Sequence, residues 1–344
     1  MRAVRARAPG DVRLEEVARP DPGPGEVVVR VRACGICGTD LHWYHGTFPA
    51  PGVCPGHEIA GEVAAAGAEV RGLREGDAVA LEGIVGCAEC PACRSGTYHL
   101  CRALGLIGIT LPGGFADYVR IPARHCFPTP RGVSAPVAAL SEPLAVAVHG
   151  VRLAPLEIGA RVLVLGAGTI GLMAVLAARA GGAGEVVVTA RRPHQREAAH
   201  RLGADRVFSD TEGAALDAFA RESPIDVVIE TVGGTADTLG VAISTCRAGG
   251  TICVLGVFTG TTPLAPTMLV AKELTLKGSM VYNRRDGRAD FEITQDLLAR
   301  EHARLDGVVT HRLPLGEVAR AFALAADKTS GSIKVTFTGE DART

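Results

Sequence analysis

The chain has 344 residues, a formal net charge of −1 at pH 7 and ten cysteines. Its length predicts two domains, and its near-neutral charge argues against a general attraction to nucleic acid or to an acidic membrane surface. No stretch offers the roughly 18 uncharged apolar residues of a membrane span, and the first residues lack the apolar core of a signal peptide. We therefore expect a cytoplasmic protein with a small-molecule partner.

Short alternating segments separated by glycine and proline fill the first part of the chain. The predicted strands cover residues 2–7, 27–32, 62–66, 77–81 and 115–121. In the second of them Val27, Val29 and Val31 share one face, which can be buried in a sheet. Strands of this length and spacing predict a partly open β-barrel.

Candidate ligands for a catalytic metal lie within and after these strands. Cys37 follows the second strand, His57 and Glu58 follow a Pro-Gly turn, and Glu142 lies near the start of a predicted apolar helix. A thiolate, an imidazole and a carboxylate can hold a catalytic zinc ion while one position stays open for substrate. The pattern does not decide which of the two glutamates binds directly.

A second group of cysteines predicts a different kind of site. Cys87, Cys90, Cys93 and Cys101 follow the spacing C-x2-C-x2-C-x7-C. Because the chain is expected in a reducing compartment, the cysteines indicate metal binding rather than disulfides. Four thiolates form a closed tetrahedral zinc site, which stabilises its loop and leaves no position for substrate.

The pattern changes beyond residue 153, where buried apolar strands alternate with helices. These strands are predicted at residues 162–165, 185–189, 226–230, 251–255 and 274–278. Such alternation predicts a parallel sheet with helices on both faces. After residue 288 the barrel-like pattern returns. We therefore predict a discontinuous barrel domain at residues 1–153 and 289–344, with a zinc lobe at 86–102, and a sheet domain at 154–288.

A glycine-rich turn joins the first strand of this sheet to the following helix. Gly166, Gly168 and Gly171 form the pattern G-x-G-x-x-G around Ala167, Thr169 and Ile170. In this context the first glycine permits the tight turn, the second lets the backbone approach a pyrophosphate, and the third allows close packing of helix on strand. The free N–H groups of the helix N-terminus attract the pyrophosphate. The turn therefore predicts a dinucleotide site.

The end of the next strand predicts which dinucleotide binds. An acidic residue about 20 positions after the turn would hold the ribose 2′-hydroxyl of NAD(H). The strand ends instead in Ala190, Arg191 and Arg192. Since guanidinium groups attract a 2′-phosphate that a carboxylate would repel, we predict NADP(H) over NAD(H).

In combination these motifs resemble the zinc-dependent medium-chain dehydrogenase/reductase family of the alcohol dehydrogenase superfamily, in particular its sorbitol, butanediol and threonine dehydrogenase branch. The resemblance covers nearly the whole chain and rests on residues 34–42, 56–58, 87–101, 113–118, 142–144 and 166–171. It implies a GroES-like catalytic domain, a Rossmann cofactor domain and a homodimer or homotetramer.

The resemblance also implies roles for individual residues. Cys37, His57 and either Glu58 or Glu142 bind the catalytic zinc. Thr39 takes the proton of the substrate alcohol. The remaining residues implied by position are His42, which passes that proton toward solvent, Asp40, which supports the ligands, and Val232 and Val257, which border the cofactor.

We therefore predict an oxidoreductase that holds two zinc ions per chain and transfers a hydride between NADP(H) and a secondary alcohol, a polyol or the corresponding ketone. Zinc would stabilise the alkoxide and the nicotinamide would accept the hydride. One alternative is a redox-neutral epimerase or lyase with a retained cofactor; another is a non-catalytic nucleotide-binding protein. The predicted pocket lining comprises Trp43, Tyr44, His45, Phe48 and residues 282–285.

Overall fold

The computed structural model describes residues 1–339 and divides into two compact units. Met1–Glu142 and the chain from Asn283 onward form the first unit, and Pro143–Tyr282 forms the second. Both divisions lie earlier than the predicted boundaries after residues 153 and 288. The first of them falls inside a helix, which the sequence pattern assigned whole to the barrel domain. Residues 340–344, the end of that predicted domain, lie outside the described residues.

The first part of the barrel unit consists mostly of short strands. They are β1 (Arg2–Ala8), β2 (Asp11–Glu16), β3 (Glu26–Gly35), β4 (Glu58–Ala66), β5 (Ala78–Leu81), β6 (Ile84–Val85), β7 (Gly105–Leu106), β8 (Tyr118–Pro122) and β9 (Cys126–Pro128). The helices among them are α1 (Gly38–Tyr44), α2 (Pro91–Arg94) and α3 (Ala135–Ala138).

The sheet unit alternates strands and helices. Its helices are α4 (Ser141–Leu153), which contains the division, α5 (Thr169–Ala180), α6 (Pro193–Leu202), α7 (Gly213–Glu222), α8 (Thr238–Thr245) and α9 (Pro266–Ala271). Its strands are β10 (Arg161–Leu165), β11 (Glu185–Thr189), β12 (Arg206–Phe208), β13 (Ile225–Glu230), β14 (Cys246–Val254) and β15 (Thr275–Gly278).

The strands of the sheet unit are all parallel to their neighbours, in the order β12-β11-β10-β13-β14-β15. This is a doubly wound order, in which the first strand of the sheet, β10, lies at the centre. In sheets of this kind, ligands bind at the turn that follows the first strand. Val162, Leu163 and Val164 of β10 are fully buried because helices cover both faces. The strand ends at Leu165, Thr189 and Glu230 lie side by side at the carboxyl edge of the sheet.

The chain then returns to the barrel unit. Its last elements are β16 (Arg284–Arg285), β17 (Arg288–Ala289), α10 (Asp290–Leu305), β18 (Val309–Pro314), α11 (Val318–Ala326) and β19 (Lys334–Thr338). The main sheet of this unit has the order β18-β19-β3-β4-β5-β9, and β8 pairs with β3. The C-terminal strand therefore lies directly beside β3.

The strand β3 occupies the centre of the barrel unit. Val27 and Val29 lie in the main core, and Val31 packs against it, as the alternation predicts. Val28 is also fully buried, so both faces of this part of the strand are covered. The predicted fold class, a partly open barrel with a doubly wound parallel sheet, is confirmed. Within residues 1–339 no helix combines the length and apolar character that crossing a membrane requires.

Candidate active site

Cys37 lies where β3 gives way to α1. It is the N-cap residue of that helix, and its backbone N–H donates a hydrogen bond of 2.9 Å to the Asp40 carboxylate. A carboxylate in the first helical turn satisfies a free N–H group there and favours the helix dipole. Asp40 is buried, and its other oxygen accepts from Nε1 of Trp43 at 3.4 Å. The predicted supporting role of Asp40 is thus to fix the backbone of Cys37.

A strained glycine turn presents His57 and Glu58 at the start of β4. Gly56 has φ = 94°, and a Cβ atom there would lie 2.5 Å from Cδ1 of Phe115. Only glycine fits this combination of positive φ and close approach. Gly35 is required for a similar reason, because a Cβ on it would lie 2.0 Å from Oε2 of Glu58.

The ligand atoms of Cys37, His57 and Glu58 all lie within 4.8 Å of one another. Nδ1 of His57 and Oε2 of Glu58 are buried and have no hydrogen-bond partner among the described residues. Unpartnered buried polar atoms are costly unless an ion or ligand satisfies them. A thiolate, an imidazole and a carboxylate at this separation fit a zinc ion with a fourth, exchangeable position.

Lys334 is a buried cation beside this cluster that the sequence pattern did not reveal. Its Nζ donates to Oε1 of Glu58 at 2.6 Å and to the Ile36 carbonyl at 2.9 Å, and the two side chains of the ion pair are 3% and 1% exposed. Burial opposes the charge of Lys334, but Glu58 and then Cys37 raise its pKa above the ordinary value. The lysine thus holds Oε1 of Glu58, while Oε2 has no hydrogen-bond partner among the described residues.

Glu142 is buried but does not belong to the set of three whose ligand atoms meet. Burial raises the pKa of Glu142 to about 7, and the nearby His57 opposes this rise. Burial also works against protonation of His57, yet the facing Cys37 raises the pKa of that imidazole well above its usual range. The Cys37 thiolate and the Glu142 carboxylate thus both lie close to His57, and a bound cation would stabilise the negative charge of both groups.

Thr39 and His42 both lie on α1, three residues apart and therefore on neighbouring positions of one helix face. Thr39 Oγ1 is 3.9 Å from the Cys37 sulfur. The His42 ring packs on Phe48 with a centroid distance of 4.8 Å. Burial and, to a lesser extent, His45 lower the pKa of His42, so its imidazole stays neutral to lower pH.

The structure assigns part of the predicted pocket lining to the core instead. Trp43 is 3% exposed and packs on Phe322 in the barrel core, with ring centroids 5.2 Å apart. Tyr44 stacks on the same phenylalanine. Tyr282 is fully buried in the sheet unit. Sequence alone could not separate these aromatic residues from a substrate pocket, because α11 supplies the Phe322 that covers two of them.

The four cysteines of the loop meet as predicted. The sulfur atoms of Cys87, Cys90, Cys93 and Cys101 all lie within 4.8 Å of one another. Backbone N–H groups of Glu89 and Cys90 lower the pKa of Cys87 to about 6, whereas burial and neighbouring thiols raise that of Cys93 to about 12. Four thiolates at this separation repel one another, and a divalent cation removes that repulsion.

A buried polar network attaches this loop to the barrel. The Tyr98 hydroxyl donates to Oε1 of Glu82 at 2.5 Å, and the other oxygen of Glu82 lies 2.6 Å from Nδ1 of His125. Glu82 and His125 are buried. Since Tyr98 lies between Cys93 and Cys101 in the chain, the network attaches the cysteine loop to the barrel by contacts of its own.

The glycine turn of the sheet unit has the geometry that its pattern predicts. Gly166 has φ = 98°, and its N–H donates to Oγ1 of Thr189 at 2.9 Å. A Cβ on Gly171 would lie 2.0 Å from the Gly166 carbonyl oxygen, whereas a Cβ on Gly168 would meet nothing within 4 Å. Thr169 and Ile170 open α5, so free helical N–H groups face this turn. The turn fits a pyrophosphate.

Glu230, a residue the motif alone does not single out, holds the turn after β13 and the start of α8 at the carboxyl edge. Its Oε1 accepts from the N–H groups of Val232 and Gly233 at 2.8 and 3.0 Å and from the Thr238 hydroxyl at 2.8 Å. The side chains of Val232 and Val257 remain about half exposed. They are free to contact a nucleotide, as their predicted role requires.

Arg191 and Arg192 follow the end of β11. Ala190, which lies between β11 and the two arginines, is buried. Its N–H donates to the Phe208 carbonyl at 2.8 Å. Arg192 is the N-cap residue of α6. Arg191 is not free, because its Nε pairs with Oδ2 of Asp210 at 2.9 Å.

Comparisons with known proteins cover both units. A family model for the alcohol dehydrogenase GroES-like domain matches residues 23–131, and one for zinc-binding dehydrogenases matches residues 169–300. The L-threonine 3-dehydrogenase of Deinococcus radiodurans is 34% identical over 99% of each chain. That of Rhizobium etli is 34% identical over 96% of each chain.

Solved structures agree with these matches. An NADP-bound protein from Sinorhizobium meliloti, described as a zinc-binding dehydrogenase, is 34% identical and superposes over 98% of each chain with a TM-score of 0.87. The 2R,3R-butanediol dehydrogenase of Bacillus subtilis is 29% identical and superposes over 98% of this chain and 99% of its own, also with a TM-score of 0.87. Both likenesses extend over the barrel and the sheet.

Proposed function

Because the chain belongs to the zinc-dependent alcohol dehydrogenase family of the medium-chain dehydrogenases/reductases, we propose that it uses NADP(H) to interconvert a secondary alcohol or polyol and the corresponding ketone. Membership of this family makes it a zinc-dependent alcohol or polyol dehydrogenase. The observation that carries the proposal is the meeting of Cys37, His57 and Glu58, with unpartnered buried atoms on two of them.

Cys37, His57 and Glu58 would hold the catalytic zinc, and Glu142 lies close enough to interact electrostatically with His57. A zinc ion bound there supplies a Lewis acid that lowers the pKa of an alcohol hydroxyl. Lys334 orients Glu58 by holding one of its oxygens. Cys87, Cys90, Cys93 and Cys101 would hold a second, structural zinc ion, which gives two ions per chain.

Thr39 and His42 move the proton. A threonine hydroxyl is too weak a base to act alone, but it can accept a proton and donate its own to an imidazole. The pKa of His42 is lowered, which keeps the ring neutral and ready to accept at the pH where an alcohol is oxidised. Their positions three residues apart on α1 support this order of transfer.

The carboxyl edge of the sheet would bind NADP(H), whose nicotinamide supplies the hydride acceptor or donor. The glycine turn and α5 bind the pyrophosphate, and Arg191 and Arg192 attract the 2′-phosphate. The NADP carried by the Sinorhizobium meliloti relative supports this preference. The absence of a carboxylate at the end of β11 itself supports it as well.

The substrate class follows from the relatives. L-threonine 3-dehydrogenase and 2R,3R-butanediol dehydrogenase are named for substrates that carry a secondary hydroxyl group. We infer a secondary alcohol or polyol for this chain, without choosing among them. The cytoplasmic location stays a prediction of the sequence.

We also infer a homodimer or homotetramer. β15 pairs only with β14 in the part of the chain that the structure describes, and all four of its residues are exposed. The preceding helix α9 exposes Val270 and Met268. An unpaired strand edge next to exposed apolar side chains is a template for pairing with a second copy.

The test of this proposal is the ratio of the specificity constants with NADP+ and NAD+, measured together with the zinc content. We expect two zinc ions per chain and a ratio well above one. Replacing Arg191 and Arg192 with alanine should lower that ratio at least about tenfold by removing two charge-assisted contacts to the phosphate. An unchanged ratio in the double variant, or fewer than two zinc ions, would contradict the proposal.

A further inference from the structure

Asp210 is an acidic residue at the nucleotide edge of the sheet that the glycine-turn motif does not include. β12 lies beside β11, with Thr189 opposite Phe208. The chain leaves the two strands at the same edge, so Ser209 and Asp210 emerge next to Ala190 and Arg191. The acid therefore stands one strand away from the position at which NAD-binding sheets place theirs.

The contact between Asp210 and Arg191 is direct. Oδ2 of Asp210 lies 2.9 Å from Nε of Arg191, and the two side chains are 47% and 70% exposed respectively. No other ion pair of Arg191 occurs within residues 1–339. The guanidinium group on which NADP(H) preference rests is therefore already engaged by a carboxylate.

From this contact we infer that Asp210 weakens the preference for NADP(H), by competing with the 2′-phosphate for the guanidinium of Arg191. The inference rests on the proposed NADP(H) site. A phosphate monoester carries about −1.5 to −2 charges, and its oxygens accept from the same in-plane N–H groups of the guanidinium that a carboxylate uses. Asp210 both occupies that group and repels the incoming phosphate. The 2′-hydroxyl of NAD(H) meets neither obstacle.

The exposure of both side chains limits the size of the effect. Exposed ion pairs contribute at most about 1 kcal/mol, which corresponds to about a fivefold change in a binding constant. Asp210 therefore moderates the preference for NADP(H) without abolishing it. A chain with Arg191 but without Asp210 would discriminate more strongly between the two cofactors.

The test is a fluorescence titration of the zinc-loaded enzyme with NADPH and with NADH, which measures binding and needs no substrate. Asp210→Asn removes the charge and keeps the size, and Asp210→Ala also removes the hydrogen-bond acceptor. We expect both variants to bind NADPH about three- to fivefold more tightly and to bind NADH with less than about a twofold change. The unchanged NADH affinity also shows that the variants are folded.

Glu157→Gln is the matched control. It removes one negative charge from an exposed side chain in the loop before β10, at the opposite edge of the same sheet. The control should leave both dissociation constants unchanged. If Glu157→Gln also bound NADPH about three- to fivefold more tightly, the net charge of the protein alone would explain the gain in affinity, and the inference would be overturned.

The titration distinguishes a wrong cofactor from a missing competition by Asp210. If the unmodified enzyme binds NADPH no more tightly than NADH, the proposed cofactor is wrong. If it prefers NADPH but the Asp210 variants bind NADPH equally well, only the competition is wrong. Weaker NADPH binding by both variants would also overturn it, because Asp210 would then orient Arg191 toward the phosphate.

Discussion

Lys334 and Glu58 form an ion pair inside the barrel unit although 276 positions separate them in the chain. The sequence identifies Glu58, because it follows the glycine turn next to His57. It does not identify Lys334, because a lysine in a C-terminal strand is ordinarily a solvated surface residue. Only the pairing of β19 with β3 brings its ammonium group to the candidate metal ligands.

In the zinc-free protein, replacing Lys334 with methionine should lower the free energy of unfolding by about 3–5 kcal/mol, because it leaves the Glu58 carboxylate buried without a cation. The shift in the urea unfolding midpoint of the barrel unit measures this effect. Adding Glu58→Gln to the same chain should recover part of the loss. Lys328→Met is the control, since the Nζ of Lys328 donates to a backbone carbonyl, that of Ala325, rather than to a carboxylate. Equal losses for the two lysine variants would contradict a special role of Lys334.

The pH profile of alcohol oxidation tests His42. Its lowered pKa means that the neutral, proton-accepting ring persists below the ordinary histidine range and is lost only as pH falls further. His42→Ala should therefore lower kcat about tenfold near pH 6 and much less near pH 9, where hydroxide ion is more abundant and can accept the proton.

His45→Ala is the control for this profile. This variant should keep the maximal rate and shift the acidic limb of the profile to slightly higher pH, because His45 contributes to lowering the pKa of His42. Cys37→Ala, in contrast, should reduce the rate at every pH. If the kcat of His42→Ala were lowered by the same factor at every pH, His42 would not be a proton relay.

At the scale of the element, the glycine turn after β10 is the part of the chain whose conformation the sequence predicts best. Its glycines occupy a strand-to-helix junction. Gly166 has a positive φ and Gly171 closely approaches the Gly166 carbonyl, whereas Gly168 leaves open space for a ligand. Other elements were harder to predict. β12 has only three residues, and four of the six positions in β2 are charged, so neither gives a clear apolar alternation. The ion pair of Arg191 with Asp210 depends on β12 and could not be foreseen for that reason.

Two glycine substitutions in the turn should have different consequences. Gly171→Ala places a Cβ against the Gly166 carbonyl and should destabilise the sheet unit. Gly168→Ala has room in the free protein and should leave its stability within about 0.5 kcal/mol while weakening NADPH binding at least about tenfold, because the methyl group occupies the approach of the pyrophosphate.

Thermal unfolding and NADPH titration of the two variants separate these effects. Gly260→Ala, where a Cβ would also meet nothing within 4 Å, is the control and should change neither property. If Gly168→Ala bound NADPH as tightly as the unmodified protein, the pyrophosphate would not lie at this turn.

At the scale of the whole molecule, the order of motifs predicted the architecture, since each motif requires its own element. Cys37, His57 and Glu58, whose candidate ligand atoms meet in the structure, are all among the residues that the sequence singles out. The substrate pocket was not predictable, because the aromatic residues proposed for it include some that pack in the core. The proposed self-association surface also depends on the folded sheet, because the sequence of β15 resembles that of a buried strand and only the sheet order places it at an edge.

Val270→Lys combined with Leu276→Lys should convert the predicted dimer or tetramer into a smaller species, because charged side chains on an edge strand oppose pairing. Sedimentation velocity measures the change in mass. Ile158→Lys, at an exposed position in the loop before β10, should have no effect. A monomeric unmodified protein would contradict the inferred assembly, and an unchanged mass in the double variant would exclude this edge as the contact.

The central claim is that the Cys37 site oxidises secondary alcohols with NADP+. A panel of polyols, diols, hydroxy-amino acids and sugar derivatives, followed at 340 nm with zinc-loaded enzyme, tests it most directly. We expect at least one secondary alcohol to drive reduction of free NADP+, and Cys37→Ala to lower that rate more than about 100-fold. If no member of the panel reduced NADP+ although the enzyme held two zinc ions and bound NADPH, the claim would be contradicted and a redox-neutral reaction favoured.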